Sequence, residues 1–172
     1  MRRSMLIGIV MALGLMGAVS AEHEHPTGPG SAELERVKQL AGRWEGTAGG
    51  DGHEAEPAVV EYKVTSGGSA VVETLAPGTP KEMVSVYHDR DGKLSMTHYC
   101  MLRNQPELAL TQATETQMNF SLREGSGLDP ASTHMHQLAI TWNDSDHITQ
   151  TWTGYEAGQP KESITMTLSR VK

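Results

Sequence analysis

Glu73, His88, His98, Cys100, His136 and Trp152 are the side chains of this 172-residue chain whose types suit a buried site. A carboxyl can hold a proton or a cation. Imidazoles titrate near neutral pH and ligate metals through a ring nitrogen. An indole offers a flat apolar surface. Gathered inside one domain, such a set would hold the polar head of a small, partly apolar ligand, and haem or a metal ion would suit it. The alternative use is acid–base catalysis, which needs Glu73 and an imidazole within hydrogen-bond reach of one substrate. No G-x-S-x-G, phosphate loop, H-E-x-x-H or paired-Cys spacing occurs, so no catalytic residue is named and no dedicated metal motif is read. His134-x-His136 puts two imidazoles on one face of a strand, which a metal could use. Taken singly, each histidine is equally at home as a hydrogen-bonded core or rim residue. As a group they are harder to account for, because burying unpaired polar groups is costly.

The elements that position these residues read as strands. After Gly42, short β-prone runs alternate with turn signals: Trp44–Ala48, Ala58–Thr65, Ser69–Ala76, Glu82–Asp89, Lys93–Leu102, Leu108–Thr114, Gln117–Arg123, His134–Trp142, His147–Tyr155 and Glu162–Val171. Most connections are hairpin-length, with Asp91-Gly92 the strongest signal. A meander of about ten antiparallel strands, closed on itself to remove its edges, predicts an all-β, up-and-down barrel able to hold one small ligand; a β-sandwich is the alternative. One short helix precedes it over Ser31–Leu40, with Ser31 as cap, Glu33 and Glu35 in the first turn, and Leu34, Val37 and Leu40 on one face.

Strand alternation then assigns faces. Leu94, Met96, His98 and Cys100 are expected inward, as are His134, His136, Leu138, Ile140 and Trp142; Val71, Glu73 and Leu75 share a face, and so do Ile148, Gln150 and Trp152. The Asp91-Gly92 turn leaves a choice. A two-residue loop sets Tyr87 beside Met96. A three-residue loop with a bulge at Gly92 puts Val84, Val86 and His88 on the His98 face, and because it buries two valines it is the register expected here. A cavity lined by Leu94, Met96, His98, Trp142 and Trp152 follows, with Tyr62, Tyr87 and Tyr99 as candidates for the outer surface.

The N-terminus carries an export pattern: Arg2 and Arg3, the uncharged apolar run Met5 to Val19, then Val19-Ser20-Ala21 before the polar Glu22-His23-Glu24-His25. This predicts a signal peptide over 1–21, cleaved near Ala21, a disordered leader over 22–30, and one domain over 31–172 in the periplasm or outside the cell. The apolar run is shorter than the roughly 20 residues of a spanning helix, so no stable membrane anchor is expected. The net charge is −7, and the signal region holds two Arg and no acid, so the mature protein is more acidic still. That disfavours nucleic acid as a partner. Cys100 is the only cysteine, which rules out an internal disulfide. Oligomeric state is not legible.

Gly42-Arg43-Trp44, between the helix and the first strand, resembles the G-x-W signature of the calycins, the lipocalins, fatty-acid-binding proteins and their relatives. In that family an Arg on the last strand packs over the Trp and closes the base of the barrel; the resemblance implies this structural role for Trp44 and Arg170. Lipocalin disulfides, the carboxylate-binding Arg/Tyr set of fatty-acid-binding proteins and the haem-ligating His of the ten-stranded nitrobindins have no match here. The runs Thr65–Ser69, Glu82–His88, Thr97–Cys100 and Asn104–Pro106 also resemble an uncharacterised group of secreted bacterial proteins. The expectation is thus an exported, small-molecule-binding barrel with Glu73, His88, His98, Cys100, His136 and Trp152 at its site; an enzyme and a structural or protein-binding domain with a filled core are the alternatives.

Overall fold

The computed structural model describes residues 30–50 and 52–172. The signal expected over 1–21, and all of the 22–30 leader but Gly30, lie outside them. The described chain is a short helix and ten antiparallel strands closed into one barrel in the order β1-β10-β9-β8-β7-β6-β5-β4-β3-β2, with β2 paired back to β1. The strands are β1 (Gly42–Gly50), β2 (His53–Thr65), β3 (Ala70–Leu75), β4 (Met83–Arg90), β5 (Lys93–Tyr99), β6 (Glu107–Ala113), β7 (Gln117–Leu122), β8 (His134–Trp142), β9 (His147–Glu156) and β10 (Gln159–Arg170). Closure sets the sandwich alternative aside.

Helix α1 (Ala32–Lys38) begins where the Ser31 hydroxyl accepts from the Leu34 amide at 3.1 Å. Ser31 is itself fixed by Asp89 at the end of β4, through its amide (2.6 Å) and its hydroxyl (2.7 Å). The helix therefore caps against the barrel wall. Its apolar face, with Leu34, Val37 and Leu40 all buried, plugs one end. Trp44 lies beneath that plug, its indole N–H donating to Leu40 O at 2.8 Å. The Arg170 guanidinium stands 4.2 Å over the Trp44 ring and donates to Ala41 O and Gln39 O, both at 2.8 Å. One side chain thus stacks on the indole and satisfies carbonyls at the end of the helix.

Two turns fix register by backbone chemistry. Asp91 (φ 52°) and Gly92 (φ 75°) form a two-residue turn that pairs Arg90 with Lys93 and Tyr87 with Met96. This corrects the bulged register expected from burial of Val84 and Val86. Two consecutive left-handed residues match the twist of the flanking strands, and Tyr87 and Ser85 take the inward positions instead. Consequently His88 faces outward. Strand β1 depends on glycine for a different reason. A Cβ at Gly46 would lie 1.9 Å from Thr167 O, and one at Gly50 would lie 2.0 Å from Ser163 O. No side chain fits where β1 curls that closely against β10.

The core runs through the barrel as alternating side chains of every strand, among them Tyr87, Leu94, Met96, Leu108, Met118, Phe120, Leu138, Ile140, Ile148 and Leu168. Tyr87 meets Phe120 edge to face at 6.0 Å, a favoured aromatic geometry.

Candidate functional site

Above this apolar layer, away from the helix, the pairing of β2 to β5 lays four polar residues side by side. Tyr62 pairs with Glu73, Glu73 with Ser85, and Ser85 with His98. The buried Val60, Val71, Leu75, Tyr87 and Met96 stand two places from them along the same strands, so alternation sends all four inward. All are buried. Each must find partners inside the wall or lose the hydrogen bonds water would have given it.

The partners come from the row itself, from Tyr87 one pleat nearer the helix, and from β9 on the far wall. Tyr62 Oη donates to Glu73 Oε1 at 2.7 Å and Tyr87 Oη to Glu73 Oε2 at 3.0 Å. Gln150 Nε2 donates to Glu73 Oε1 at 2.5 Å and also to Tyr62 Oη. Trp152 Nε1 donates to Gln150 Oε1 at 3.4 Å. The His98 ring lies 4.6 Å from the Trp152 ring, tilted by 41°, and its Nδ1 is 3.0 Å from Ser85 Oγ.

Burial sets the protonation of the cluster. It pushes the Glu73 carboxyl above the usual carboxylate range, partly offset by hydrogen bonds from Tyr62, Gln150, Ser85 and Tyr87. Burial, and then the nearby Glu73, push both Tyr62 and Tyr87 well above the ordinary phenol range, so both stay protonated donors. Burial lowers His98 to about 4. Its imidazole is neutral at neutral pH, with one nitrogen free of a proton. Its bond to Ser85 is its only hydrogen bond among the described residues, so Nε2 is left over. Among the described residues, Asn104 Oδ1 and Trp142 Nε1 are sealed polar side-chain atoms left unpaired.

Of the residues expected at the site, the structure brings Glu73, His98 and Trp152 together. Glu73 and His98 lie on the same side of the wall, joined through Ser85. Cys100 lies just past the end of β5, half-buried, with its thiol pushed up in pKa by burial. His88 is outside, for the register reason given above. His136 is also outside. A β-bulge between Met135 and Gln137 breaks the alternation expected for β8, so Met135 packs against the core. His136 instead stacks on Tyr155 of the outer face, ring centroids 3.9 Å apart. His134, fully buried, bonds to His136 rather than joining the inner row. The expected cavity lining is likewise divided. Leu94 and Met96 are sealed in the core, and Trp142 sits near the helix end under the Arg36 guanidinium, 3.9 Å from its ring.

Tyr62, Ser85, Tyr87 and Gln150 were not expected at the site. Tyr62 and Tyr87 are buried rather than outward. The alternation Val60-x-Tyr62 was a usable signal. Ser85 and Tyr87 became legible only once the turn register was fixed. A depression of about 170 Å³ lies on the outer wall, lined by Thr111, Asn119, Ser121, Gln137, Thr151 and Thr153 among others, apart from the buried row. Among the described residues no three His, Cys, Asp or Glu side chains are grouped to hold a metal ion, and no helix is long and apolar enough to cross a membrane.

No protein-family model and no curated protein matches the chain. Among solved structures it is similar to redesigned β-barrels. One is b11L5F_LGL, with a TM-score of 0.39, 12% identity, and coverage of 79% of this chain and 95% of that one. Another is mFAP1 bound to DFHBI, with a TM-score of 0.40, 13% identity, and coverage of 78% and 97%. A third solved structure, EF1p2_mFAP2b bound to DFHBI, has a TM-score of 0.42, 11% identity, and coverage of 80% and 98%.

Proposed function

We propose that this chain is an exported, calycin-like barrel that binds a small, partly apolar ligand, with the polar head of that ligand received by the Glu73–Ser85–His98 row. The observation that carries the reading is the asymmetry of the interior. One end is plugged by α1, Trp44 and Arg170. The other half holds a neutral imidazole whose Nε2 has no partner among the described residues. Half-buried Met83, Leu122 and Met135 also flank the interior, while Tyr99, Met101 and Leu102 are exposed around the loop after β5. Apolar walls with a few converging polar groups are what small-molecule sites are made of. Haem and free carboxylic or phenolic ligands are the chemistries a neutral imidazole beside a buried carboxyl would receive. The export part rests on the Arg2 to Ala21 pattern of the sequence.

One observation favours a second reading, a barrel whose filled core is structural. Glu73, Tyr62, Tyr87 and Gln150 satisfy one another with no ligand. The test is titration of the purified barrel with haem, followed by absorption, and with apolar carboxylic and phenolic probes, followed by tryptophan fluorescence. Ligand binding predicts saturable changes that are lost in His98→Ala and weakened in Glu73→Gln. A barrel that stays folded and gives no saturable signal with any probe class overturns the ligand reading in favour of the filled core.

A further inference from the structure

The outer face of β7 to β10 carries three cross-strand rows. Gln117 pairs with Thr141, Thr141 with Thr149 and Thr149 with Thr167. Asn119, Ala139, Thr151 and Thr165 make the next row, and Ser121, Gln137, Thr153 and Ser163 the third. Charged residues make up 20% of the chain, yet none stands in these rows. Every position is Ser, Thr, Asn or Gln except Ala139. The preference of threonine for strands accounts for part of this pattern. It does not account for the absence of Lys, Arg, Asp and Glu, the residues that ordinarily cover a solvent face.

Ala139 leaves the middle row without a long side chain between Asn119 and Thr151. The depression of about 170 Å³ lies there, ringed by Thr111, Asn119, Ser121, Gln137, Thr151 and Thr153. Bulges interrupt two of its strands, between Leu110 and Gln112 on β6 and between Met135 and Gln137 on β8. Part of the rim is held in place by its own bonds. Thr111 Oγ1 donates to Asn119 O at 3.0 Å, and Asn119 Nδ2 donates to Gln112 Oε1 at 3.1 Å. The Thr151 and Thr165 hydroxyls are 3.2 Å apart, as are those of Thr153 and Ser163. The Ser121 hydroxyl and the Gln137 carboxamide make no side-chain hydrogen bond among the described residues, so both are left to solvent or a ligand.

The rim decides what can bind. Hydroxyls and carboxamides both donate and accept. An ion would find no countercharge here, and a hydrophobic ligand little apolar surface. A peptide adding itself as a strand would find no open edge, because the barrel is closed. The match is a small neutral molecule that carries adjacent hydroxyls of its own. Tyr155, two positions along β9 from Thr153 and stacked with His136 at 3.9 Å, adds an aromatic step on the same face.

We propose that this outer depression is a binding site for one ring of a neutral saccharide, whose hydroxyls are met by the Asn119 and Gln137 carboxamides and by the Ser121, Thr151 and Thr153 hydroxyls. The site is shallow and exchanges water hydrogen bonds for protein ones, so a single ring binds weakly, in the millimolar range. It lies on the outer wall and does not rest on the ligand reading of the interior.

Amide NMR of the nitrogen-labelled protein tests it. Glucose, N-acetylglucosamine, maltose and cellobiose are titrated into the millimolar range, beside the charged glucuronate and glucosamine. At least one neutral sugar is expected to give saturable shifts confined to residues 111–121, 137–141 and 151–155. In Ala139→Leu, whose side chain fills the depression from an outward position, affinity should fall about tenfold or more. Gln137→Ala removes an exposed rim amide without filling anything, and should weaken binding severalfold even where the leucine variant fails to fold. Absence of saturable shifts with every sugar, shifts lying elsewhere, or affinity unchanged in Gln137→Ala overturns the site. Preference for a charged sugar overturns its neutral character, and shifts of the same amides with protein concentration alone would make the face a contact between copies instead.

Discussion

Gln150 donates to Glu73 Oε1 at 2.5 Å from a strand that lies on the far side of β2, β1 and β10, so a single amide ties two walls of the barrel together across its interior. The carboxyl it reaches is also the acceptor for Tyr62 and Tyr87. Glu73→Ala therefore strands several donors at once. With roughly 1–3 kcal/mol for each buried group left unpaired, a loss of about 3 kcal/mol or more is expected in chemical denaturation. Glu73→Gln should lose less, because its amide oxygen can still accept from Tyr62 and Gln150 and only its NH2 is set against the Tyr87 donor.

The two buried titrating groups give stability opposite pH dependences. His98 has a folded pKa of about 4, below its ordinary value of 6.5. The unfolded chain thus binds the proton more readily, and stability falls as pH drops from about 6.5 towards 4. The size is about 3 kcal/mol at the acid limit. Glu73 is raised, so its contribution is greatest below the ordinary carboxylate range and is lost as pH rises through its folded pKa. Denaturation midpoints measured from pH 4 to 8 should show the acid loss in the unaltered protein and a flatter acid limb in His98→Leu. An acid limb unchanged in that variant would mean that His98 is not the group responsible.

Arg170 joins the last described strand to the end of α1 by stacking on Trp44 and by two carbonyl contacts. Arg170→Ala is expected to cost about 1–2 kcal/mol and to shift Trp44 emission as water reaches the ring. Arg170→Lys should recover only part of the loss, since an ammonium is a point charge and cannot lie flat on an indole while bridging two carbonyls.

Glycine at position 46 is dictated by a neighbouring carbonyl rather than by a turn. Gly46→Ala would place its methyl 1.9 Å from Thr167 O, so β1 must part from β10. A loss above about 3 kcal/mol is expected. Gly154→Ala is the control: its nearest atoms lie at 3.6 Å, ordinary contact, and its thermal midpoint should move little.

Export is checked on the N-terminus itself. Intact mass of protein recovered from outside the cytoplasm should correspond to a chain beginning at Glu22. Retention of residues 1–21 would mean that the apolar run is not cleaved as expected.

The strands were legible because alternation and turn residues repeat every few positions, and the ends of most expected strands agree with the observed ones to within a few residues. Glu73, His98 and Trp152 were legible for the same reason. What sequence did not reveal depended on single backbone events. The Asp91-Gly92 turn decides whether Tyr87 or His88 faces in, and burying two valines was the weaker argument against turn geometry that matches strand twist. The bulge at His136 leaves no mark in the pattern His134-x-His136-x-Leu138, which alternates perfectly on paper. Gln150 shares a face with Ile148 and Trp152, but nothing local says that it meets Glu73 across the barrel.

The pairing of β1 with β10 has a kinetic consequence. The two strands lie at opposite ends of the described chain, with Trp44 opposite Arg170. No partial chain can close the barrel, however many hairpins it has zipped. Until β10 is in place, β1 and β9 each present an unpaired edge, the kind that recruits other chains. Ring closure is thus the late, entropically demanding step of folding. The time spent as an open sheet, rather than final stability, should govern how readily this protein aggregates while it matures.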